Sequence, residues 1–532
     1  MTNKDSSYNS SQFKNSKLRK WSFRSLILMT LIAVIAVLWV EYQMRRVKGQ
    51  LTEVVETADI QPISGEFILK NVHILNPQGD AMLPAQDILV SAGKIKQLGQ
   101  HLTQSTNLTV VDGQGKFLIP GLMDGHVHLS ENVNNLLLYL VNGVTHVRDM
   151  GATDYQLKVR DDRSDQALWP DVFVASEKVY TTPWWKTWFM NWTYSRITMS
   201  DASQGEAIVN DLKQRGFDAL KISNGLEPAH YRSLVKAAHE ADLLVTGHIP
   251  EGVSIEEVLD LGQQEIAHVE EITKVFEREF ALYINEINDQ TIAEYLEYVE
   301  KRGHEVAKTI KAKGVHVTSV IWLIESLLEQ KFELEVFLKT VELEYVDPAM
   351  VEGSPLVSGW LPGHHSYASH PYWFESEENR NQLWLYWNTY VDAIHLMTQI
   401  LVEHEVEFTA GTDSVVSGGV PGFSIHDELQ SMVSLGMSTA QALQTATRIP
   451  GQWLDKVNKN PANGQVGAIK PGFVANLVLL EKNPLDDIKN TTTINAVIMN
   501  GRLYNRSQLD TILARIKSIN AANRTQDISD YQ

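Results

Sequence analysis

The sequence predicts an α/β protein built on a (β/α)8, TIM-like barrel. Between residues 118 and 450, short apolar strand candidates alternate with longer amphipathic helical stretches, the pattern of a parallel sheet covered by helices. Several of the eight strand candidates carry a histidine, a lysine or an aspartate. The candidates lie near Leu118–Asp124, Val144–Asp149, Asp171–Ala175, Ala219–Ser223, Leu243–His248, Glu265–Val269, Val315–Ile321 and Val406–Asp413.

Two flanking segments predict a small β-sandwich domain made from both sides of the barrel. Residues 65–117 contain short β-rich runs separated by turn sequences such as Asn76-Pro77-Gln78-Gly79, which indicates antiparallel strands. The β-type pattern returns in residues 451–507, with strands expected at Asn476–Glu481 and Ala496–Met499. Residues 508–532 are interpreted as a C-terminal tail.

The N-terminal region predicts a transmembrane helix over residues 21–42. Leu26–Val40 is an apolar run broken only by Thr30, and about 20 helical residues cross the hydrocarbon core of a bilayer. More basic residues precede this run than follow it, so residues 1–20 are expected to form a cytoplasmic tail. Residues 43–64 are then a stalk, and the folded body lies outside the cytoplasm, which is the periplasm if the source is a Gram-negative bacterium. A cleaved signal peptide is the alternative, but no small-residue cleavage site follows the apolar run.

The composition excludes several classes of function. The chain has 46 basic and 65 acidic side chains, and its net charge of −19 disfavours nucleic-acid binding. It has no cysteine, which excludes disulfides, thiolate nucleophiles and cysteine-based metal sites. Histidine, aspartate, glutamate and lysine are therefore left for the chemistry of a site.

The first strand candidate ends in a His-x-His pair, His126 and His128. The two-residue period of a strand places both imidazoles on one face, where they suit a divalent metal such as zinc. Surface strands also carry such pairs by chance, so the pair alone is equally consistent with a structural role.

A lysine, Lys221, stands at the centre of the fourth strand candidate. An ammonium group inside a barrel needs a partner or a changed charge. Carbamylation is one solution, because it turns the amine into a carboxylate that bridges two metals. A lysine that is paired or that reaches solvent at the strand end is the alternative.

Three further strand candidates present residues of the same kind. His248 ends the fifth, His268 lies in the sixth and Asp413 ends the eighth. The carboxyl ends of barrel strands converge at one face, where the active sites of this fold lie. A core histidine or a helix-capping aspartate would explain each residue alone, whereas six candidates in register with the strand ends indicate a metal centre.

This ordered set of six residues resembles the ligand set of the metal-dependent amidohydrolase superfamily, and within it the imidazolonepropionase-like and prolidase-like (Xaa-Pro dipeptidase) branch. The resemblance covers roughly residues 65–507. It includes Gly143-Val144-Thr145-His146-Val147-Arg148-Asp149, His426-Asp427-Glu428-Leu429 and the stretch Gly464–Gly472.

The resemblance implies two divalent metals, most simply two zinc ions. One would be held by His126, His128 and Asp413, and the other by His248 and His268, with carbamylated Lys221 as the bridge. It also implies a hydroxide between the metals as the nucleophile, and Asp413 as the group that moves a proton to the leaving amine.

The implied reaction is hydrolysis of a C–N bond in an amide, a peptide or a cyclic amide. An esterase or lactonase is an alternative, and so is a deaminase on the same fold, although deaminases usually lack the lysine on strand four. A membrane-anchored binding protein without catalysis is the alternative from another class. The expected partners are a small-molecule or dipeptide substrate, the membrane and, in a homo-oligomer, further copies of the chain.

Substrate-binding residues and the role of the tryptophans are less constrained by the sequence. The candidates for substrate binding are His146, Arg148, Tyr231, Arg232 and His365, of which His146 and Arg148 equally suit a structural pair. Eight of the 13 tryptophans lie in Tyr180–Tyr194 and Trp360–Tyr390. These two stretches could form a lid, pack as a subdomain or contact the bilayer surface.

Overall fold

The computed structural model of the chain describes residues 6–102, 108–163, 168–194, 196–365, 376–416, 418–461 and 464–531. Its strands are β1 (Phe67–Ile74), β2 (Gln86–Ser91), β3 (Lys94–Gly99), β4 (Thr109–Pro120), β5 (Leu122–Val127), β6 (Val144–Asp149), β7 (Asp171–Val174), β8 (Val179–Thr181), β9 (Ile197–Met199), β10 (Ala219–Ile222), β11 (Leu244–Gly247), β12 (Glu265–Ile266), β13 (His316–Thr318), β14 (Phe408–Thr409), β15 (Leu477–Leu480), β16 (Ile494–Met499) and β17 (Arg502–Asn505). Its helices are α1 (Ser6–Val47), α2 (Val133–Val141), α3 (Asp154–Asp161), α4 (Thr187–Tyr194), α5 (Gly205–Arg215), α6 (Pro228–Glu240), α7 (Ile255–Asp260), α8 (Val269–Phe280), α9 (Asp289–Lys313), α10 (Ile321–Phe332), α11 (Leu334–Phe337), α12 (Pro348–Glu352), α13 (Glu377–Glu403), α14 (Ser424–Ser434), α15 (Thr439–Thr445), α16 (Arg448–Lys456) and α17 (Arg506–Asn523).

Parallel strands form a ring of the TIM-barrel-like kind that the sequence predicts. Strands β5, β6 and β7 pair in parallel, as do β10 with β11 and β12 with β13 and β14. Backbone hydrogen bonds join these groups, from Ser176 N to Ala219 O (2.9 Å), Ala267 N to Gly247 O (2.9 Å) and Gly125 N to Ala410 O (2.8 Å). The carboxyl ends of these strands define one side of the ring, which we call the carboxyl face.

The structure moves several predicted strand boundaries. The first barrel strand is Leu122–Val127, whereas Leu118 to Pro120 belong to β4 of the neighbouring sheet. The seventh strand ends at Thr318, because Ile321 already begins α10. Strands β8 and β9 form an insertion after β7 that the sequence pattern does not predict.

The two flanking β segments meet in one seven-stranded sheet with the order β17-β16-β15-β4-β1-β2-β3. Strand β15 of the second segment runs antiparallel to β4 of the first, with Leu477 opposite Pro120. Strand β1 pairs with β4 in parallel, which corrects the prediction of a purely antiparallel region. Strands from both flanking segments of this continuous sheet pack into one apolar core, which includes Phe67, Leu118 and Leu477.

Helix α1 contains one segment, Phe23–Val47, that is long and apolar enough to be a membrane span or a signal sequence. None of this segment's most apolar window is buried against the rest of the protein.

The segment after the helix does not form the free stalk that the sequence predicts. Val55 and Ile60 are buried in the main core, and the backbone N–H of Glu131 donates to Lys48 O (2.8 Å). Arg46 forms an ion pair with the buried carboxylate of Glu352 (3.0 Å). The end of α1 is therefore fixed to the folded body.

The predicted C-terminal tail is also ordered and packed. Helix α17 buries Leu509, Ile512 and Ile516 against the main core. Beyond it, the backbone N–H groups of Thr525 and Gln526 donate to Glu352. The two ends of the body therefore meet at one buried carboxylate.

Candidate metal centre

All six predicted ligands lie on strand ends at the carboxyl face. His126 belongs to β5 and His128 directly follows it, Lys221 lies in β10, and His248 follows β11. His268 precedes α8 as its N-cap residue, and Asp413 follows β14 in a left-handed conformation with φ of 54°. This φ is uncommon for a residue with a side chain, and such conformations concentrate at functional sites.

Short distances connect five of the six residues. Asp413 Oδ1 lies 3.0 Å from His128 Nε2 and 3.4 Å from His126 Nε2. His126 Nε2 lies 3.5 Å from His268 Nε2. The ring centroids of His248 and His268 are 5.4 Å apart. The four histidines and Asp413 therefore form a continuous cluster.

Two glycines allow the strands that carry these residues to approach one another. A Cβ on Gly125, next to His126, would lie 2.2 Å from Thr409 Cγ2 across the junction of β5 and β14. A Cβ on Gly247, next to His248, would lie 2.4 Å from Ile222 O of β10. A side chain at either position would push apart strands that carry candidate ligands.

Burial keeps His126, His128 and His248 neutral. It lowers the pKa of His126 and of His248 well below the ordinary range, and it lowers the pKa of His128 to about 4 despite the nearby Asp413. A neutral imidazole carries a free nitrogen lone pair, which is the form that binds a metal.

Asp413 is held as a carboxylate. Burial raises its pKa, but the interactions with His128 and with nearby groups that include the Lys178 ammonium together outweigh burial, so the pKa lies below its usual value. The cluster therefore offers negative charge beside several neutral nitrogen ligands.

Lys221 is completely buried, and no hydrogen-bond partner of its Nζ is found among the described residues. Burial, followed by the charge of Lys178, lowers the pKa of the Lys221 ammonium to about 7. With this pKa, a substantial fraction of the Lys221 amine is uncharged at neutral pH. The uncharged amine is the form that reacts as a nucleophile. Lys221 therefore has the protonation chemistry that carbamylation needs.

The donor set fits divalent metal ions. Both ring nitrogens of His248, and Nδ1 of His126, are buried without a hydrogen-bond partner within the described ranges. Unsatisfied buried polar atoms are costly, and a bound cation would satisfy nitrogen lone pairs. In the part of the chain that the structure describes, two groups have the spacing for one ion each: His126, His268 and Asp413, and His248, His268 and Glu271.

Several residues at the site were missed by the sequence reasoning. Glu270 Oε2 lies 3.5 Å from His268 Nδ1, and Glu270 also accepts a hydrogen bond from Tyr390, so it can fix the orientation of the His268 ring. Glu271 completes the second three-residue group, and Lys178 supplies a positive charge. Glu270 and Glu271 were visible as acidic residues directly after His268-Val269, whereas Lys178 had no distinguishing pattern.

Asp124 couples the first barrel strand to the last. Its carboxylate accepts hydrogen bonds from Thr412 N (3.1 Å) and Thr412 Oγ1 (2.7 Å), next to Asp413. It also accepts from His126 N (3.3 Å). This bridge holds His126 and Asp413 in a fixed relation.

Two predicted substrate residues, Tyr231 and Arg232, have other partners in the structure. Tyr231 is completely buried in helix α6, and its hydroxyl donates to Gln263 Oε1 (3.1 Å). Arg232 is exposed and forms an ion pair with Glu257 of α7. The structure does not bring either side chain to the histidine cluster.

His146 and Arg148 contact carboxylates inside the barrel, as expected for residues with a structural role. His146 Nε2 faces Asp171 Oδ2 (3.3 Å) at the start of β7, near the amino ends of the strands. Arg148 contacts the buried carboxylate of Glu265, and its guanidinium stacks over Trp453 at 4.2 Å. Both residues line a cavity of about 590 Å³ that contains none of the six candidate ligands.

The stretch Trp360–Tyr390 is described only in part, and its His370 and Trp373 lie outside the described residues. Trp360 is buried in a small apolar core with Phe337 and Val351. His365 is buried as well, and burial followed by the charge of Lys331 lowers its pKa to about 4. The described part of this stretch therefore favours packing over a mobile lid.

Comparison with known proteins identifies the family. Residues 117–504 match the model of the amidohydrolase family. The chain therefore belongs to the amidohydrolase family, which confirms the superfamily predicted from the six-residue set.

Solved structures agree with this assignment. Bottromycin amidohydrolase has a TM-score of 0.63 at 18% identity, with 90% of this chain and 97% of that chain covered. A prolidase in complex with N-methylphosphonate-L-proline has a TM-score of 0.57 at 17% identity, with 83% and 100% covered. Ochratoxinase from A. niger has a TM-score of 0.55 at 15% identity, with 83% and 96% covered. The likeness shows a shared fold, and the prolidase belongs to the branch that the sequence predicts.

A curated relative matches only locally. A dihydroorotase from Bacillus thuringiensis (strain Al Hakam) is 40% identical over 65 residues, which are 12% of this chain and 14% of that protein. The chain therefore matches only a small part of the length of this relative.

Proposed function

We propose that the protein is a metal-dependent hydrolase that cleaves a C–N bond in an amide, a peptide such as a dipeptide, or a cyclic amide. The observation that carries this proposal is the cluster at the carboxyl face, where buried neutral imidazoles adjoin the Asp413 carboxylate and the buried Lys221 amine. Membership of the amidohydrolase family supports the same class of reaction.

We propose that this cluster holds two divalent metals, in the first instance zinc. His126, His128 and Asp413 would hold one, His248 and His268 the other, and carbamylated Lys221 would bridge them. Bound metals of this kind lower the pKa of a water molecule and polarise the scissile carbonyl.

The residues of the chain have distinct roles in this proposal. Asp413 takes a proton and passes it to the leaving nitrogen, because its carboxylate is held ionised next to His128. Glu270 orients the His268 ring, and Asp124 fixes Asp413 relative to His126. His128 exposes 26% of its side chain whereas His126 exposes none, so substrate enters on the side of His128.

We also propose that α1 is a single membrane span with its N-terminus in the cytoplasm and the hydrolase body outside. The exposed apolar surface of Phe23–Val47 and the basic residues before it support this orientation.

The first test is the metal content of the purified full-length chain and of Lys221→Ala. We expect about two metals per chain in the wild type and a sharp loss in the variant, because the variant lacks the bridging group. Lys236→Ala is the matched control: it removes an exposed lysine of α6 that lies outside the cluster, so its metal content should be unchanged. Atomic emission of the protein after removal of free metal gives both numbers.

The alternatives predict other results. A single metal that survives Lys221→Ala would indicate a mononuclear, deaminase-like site. An absence of metal in the wild type would contradict the proposal and favour a binding protein without catalysis.

A further inference from the structure

Residues 183–192, which we call the tryptophan segment, form an exposed apolar surface. The segment lies on the connection that leaves the carboxyl face after β7, between β8 and β9. The exposed fractions are 80% for Trp184, 64% for Trp185, 71% for Trp188 and 49% for Phe189. Aromatic side chains this exposed and this close together mark an interaction surface.

The tryptophan segment contacts the apolar helix α1. Trp192 Nε1 donates to Glu41 Oε2 (3.2 Å), and the ring of Trp192 stacks with that of Trp188 at 5.3 Å. Glu41 lies between Trp39 and Tyr42, which are themselves exposed on α1. One residue of helix rises about 1.5 Å, so the segment lies at the level where the apolar run of α1 ends.

Tryptophan and tyrosine at the end of an apolar span are typical of the membrane–water interface, because their rings are apolar with one polar group. The contact with Glu41 therefore places the tryptophan segment at the interfacial level of α1.

The carboxyl face is the side of the body that carries α1. The backbone N–H of Glu131, three residues after His128, donates to Lys48 O. A Cβ on Gly49 would lie 2.6 Å from Asn132 Cβ, so the chain after α1 packs closely against the same loop. The candidate metal centre, the end of α1 and the tryptophan segment therefore share one side of the molecule.

The charge around the segment complements a bilayer surface. Residues 179–200 include Lys186 and Arg196 and no acidic residue, although the whole chain has a net charge of −19. Lys186 lies 4.9 Å from the Trp185 ring centroid, and Arg196 lies 4.9 Å from that of Tyr180. Basic residues among exposed aromatic rings favour anionic lipid headgroups.

We infer that the tryptophan segment inserts into the headgroup region of the bilayer that α1 crosses, so that the carboxyl face meets lipid. It follows that the amide substrate belongs to an amphipathic molecule held in that bilayer, such as an N-acylated amino acid. This substrate class rests on the proposed hydrolase function, whereas the insertion does not.

The absence of cysteine makes a direct depth measurement simple, because one introduced cysteine takes a spin label uniquely. The full-length chain carrying Trp188→Cys is reconstituted in phosphatidylethanolamine–phosphatidylglycerol vesicles. The matched control is Val110→Cys, at an exposed apolar residue in strand β4 of the seven-stranded sheet. Collision rates with oxygen, which enriches in lipid, and with a water-soluble nickel complex report the environment of each label.

We expect the label at residue 188 to collide with oxygen and to be shielded from nickel, while the label at residue 110 remains accessible to nickel. Equal nickel accessibility at both positions would overturn the insertion. Shielding of residue 188 from both reagents would overturn it as well, because it indicates a protein contact in place of lipid.

The substrate class is tested with the double variant Trp185→Ser/Trp188→Ser. We expect KM for an N-palmitoyl amino acid in vesicles to rise about tenfold, because the tryptophan segment no longer inserts into the bilayer next to the carboxyl face. KM for the soluble N-acetyl analogue should be unchanged. Equal changes for both substrates would overturn this substrate class, as would hydrolysis of neither by the wild type. Metal content and label depth would then still decide the hydrolase proposal and the insertion separately.

Discussion

The sequence suggests both Arg148 and Arg232 as substrate-binding residues, but in the structure one is buried and the other is exposed. Arg148 is buried against Glu265, whose carboxylate also accepts a hydrogen bond from Thr318 (2.6 Å). Arg232 exposes 52% of its side chain and pairs with Glu257 on the surface. Burial decides how strongly the loss of each ion pair changes the free energy of unfolding, because solvent screens only the exposed pair.

We expect Arg148→Met to destabilise the fold by about 3–5 kcal/mol, since it leaves the Glu265 carboxylate buried without its cation. Arg232→Met is the matched control and should leave the free energy of unfolding nearly unchanged, because solvent screens this exposed pair. Urea denaturation followed by circular dichroism measures both. A stable Arg148→Met protein with a raised KM would instead restore Arg148 as a substrate residue.

The candidate ligands share a repeating geometric position that the sequence reveals. His126 lies near the end of a short apolar strand and His248 and Asp413 follow one, and barrel geometry brings strand ends together. Tyr231 and Arg232 lie on helix α6, where sequence spacing does not say which side chain turns to the core. Lys178 was missed because it follows a barrel strand without any neighbour of the same chemistry.

At the level of elements, the segments on either side of the body are anchored at Glu352 in helix α12. This carboxylate pairs with Arg46 after the apolar run and accepts from Thr525 and Gln526 beyond α17. Residues 43–64 were predicted as a stalk because their composition is polar, and composition does not show that a few residues such as Val55 and Ile60 are buried.

We expect Glu352→Ala to release both segments together, because one buried acceptor serves each of them. Limited proteolysis of the full-length chain should cut within residues 43–64 and 524–531 at least about tenfold faster than in the wild type. Glu344→Ala, which removes a partly exposed pair with Lys517, is the control and should leave both rates unchanged. Faster cleavage at only one end would contradict the shared anchor.

The boundary between β4 and β5 shows why element limits were harder to predict than the elements themselves. Leu118–Met123 contains no polar side chain, so the sequence indicates one strand region. Backbone pairing divides it at Gly121, with Pro120 opposite Leu477 in the β sheet and Leu122 opposite Val144 in the barrel. Tertiary partners, which local sequence does not contain, set that division.

For the molecule as a whole, buried carboxyl groups make stability depend on pH. Burial raises the pKa of Glu428, which accepts hydrogen bonds from the backbone N–H groups of Ile321 and Trp322, from 4.5 to about 8. A carboxyl group with a raised folded-state pKa binds more protons when folded, so its contribution is present below pH 4.5 and is lost as the pH rises through about 8.

We expect Glu428→Gln to flatten this dependence between pH 5 and 8, because the amide does not titrate. The difference in Tm between variant and wild type should rise with pH, corresponding to at most about 1.4 kcal/mol per pH unit. Glu240→Gln, at an exposed position on α6, is the control and should give a constant difference. A constant difference for Glu428→Gln would show that this group titrates alike in the folded and unfolded chains.

The hydrogen bond from Gly125 N to Ala410 O closes the barrel between its first and last strands, and it also sets an order of events during synthesis. His126 leaves the ribosome long before Asp413, so their shared cluster cannot exist until nearly the whole barrel has been made. In a chain whose body is exported behind α1, the complete ligand set first forms on the far side of the membrane. The protein would then draw its metal from the supply of that compartment and not from the cytoplasm.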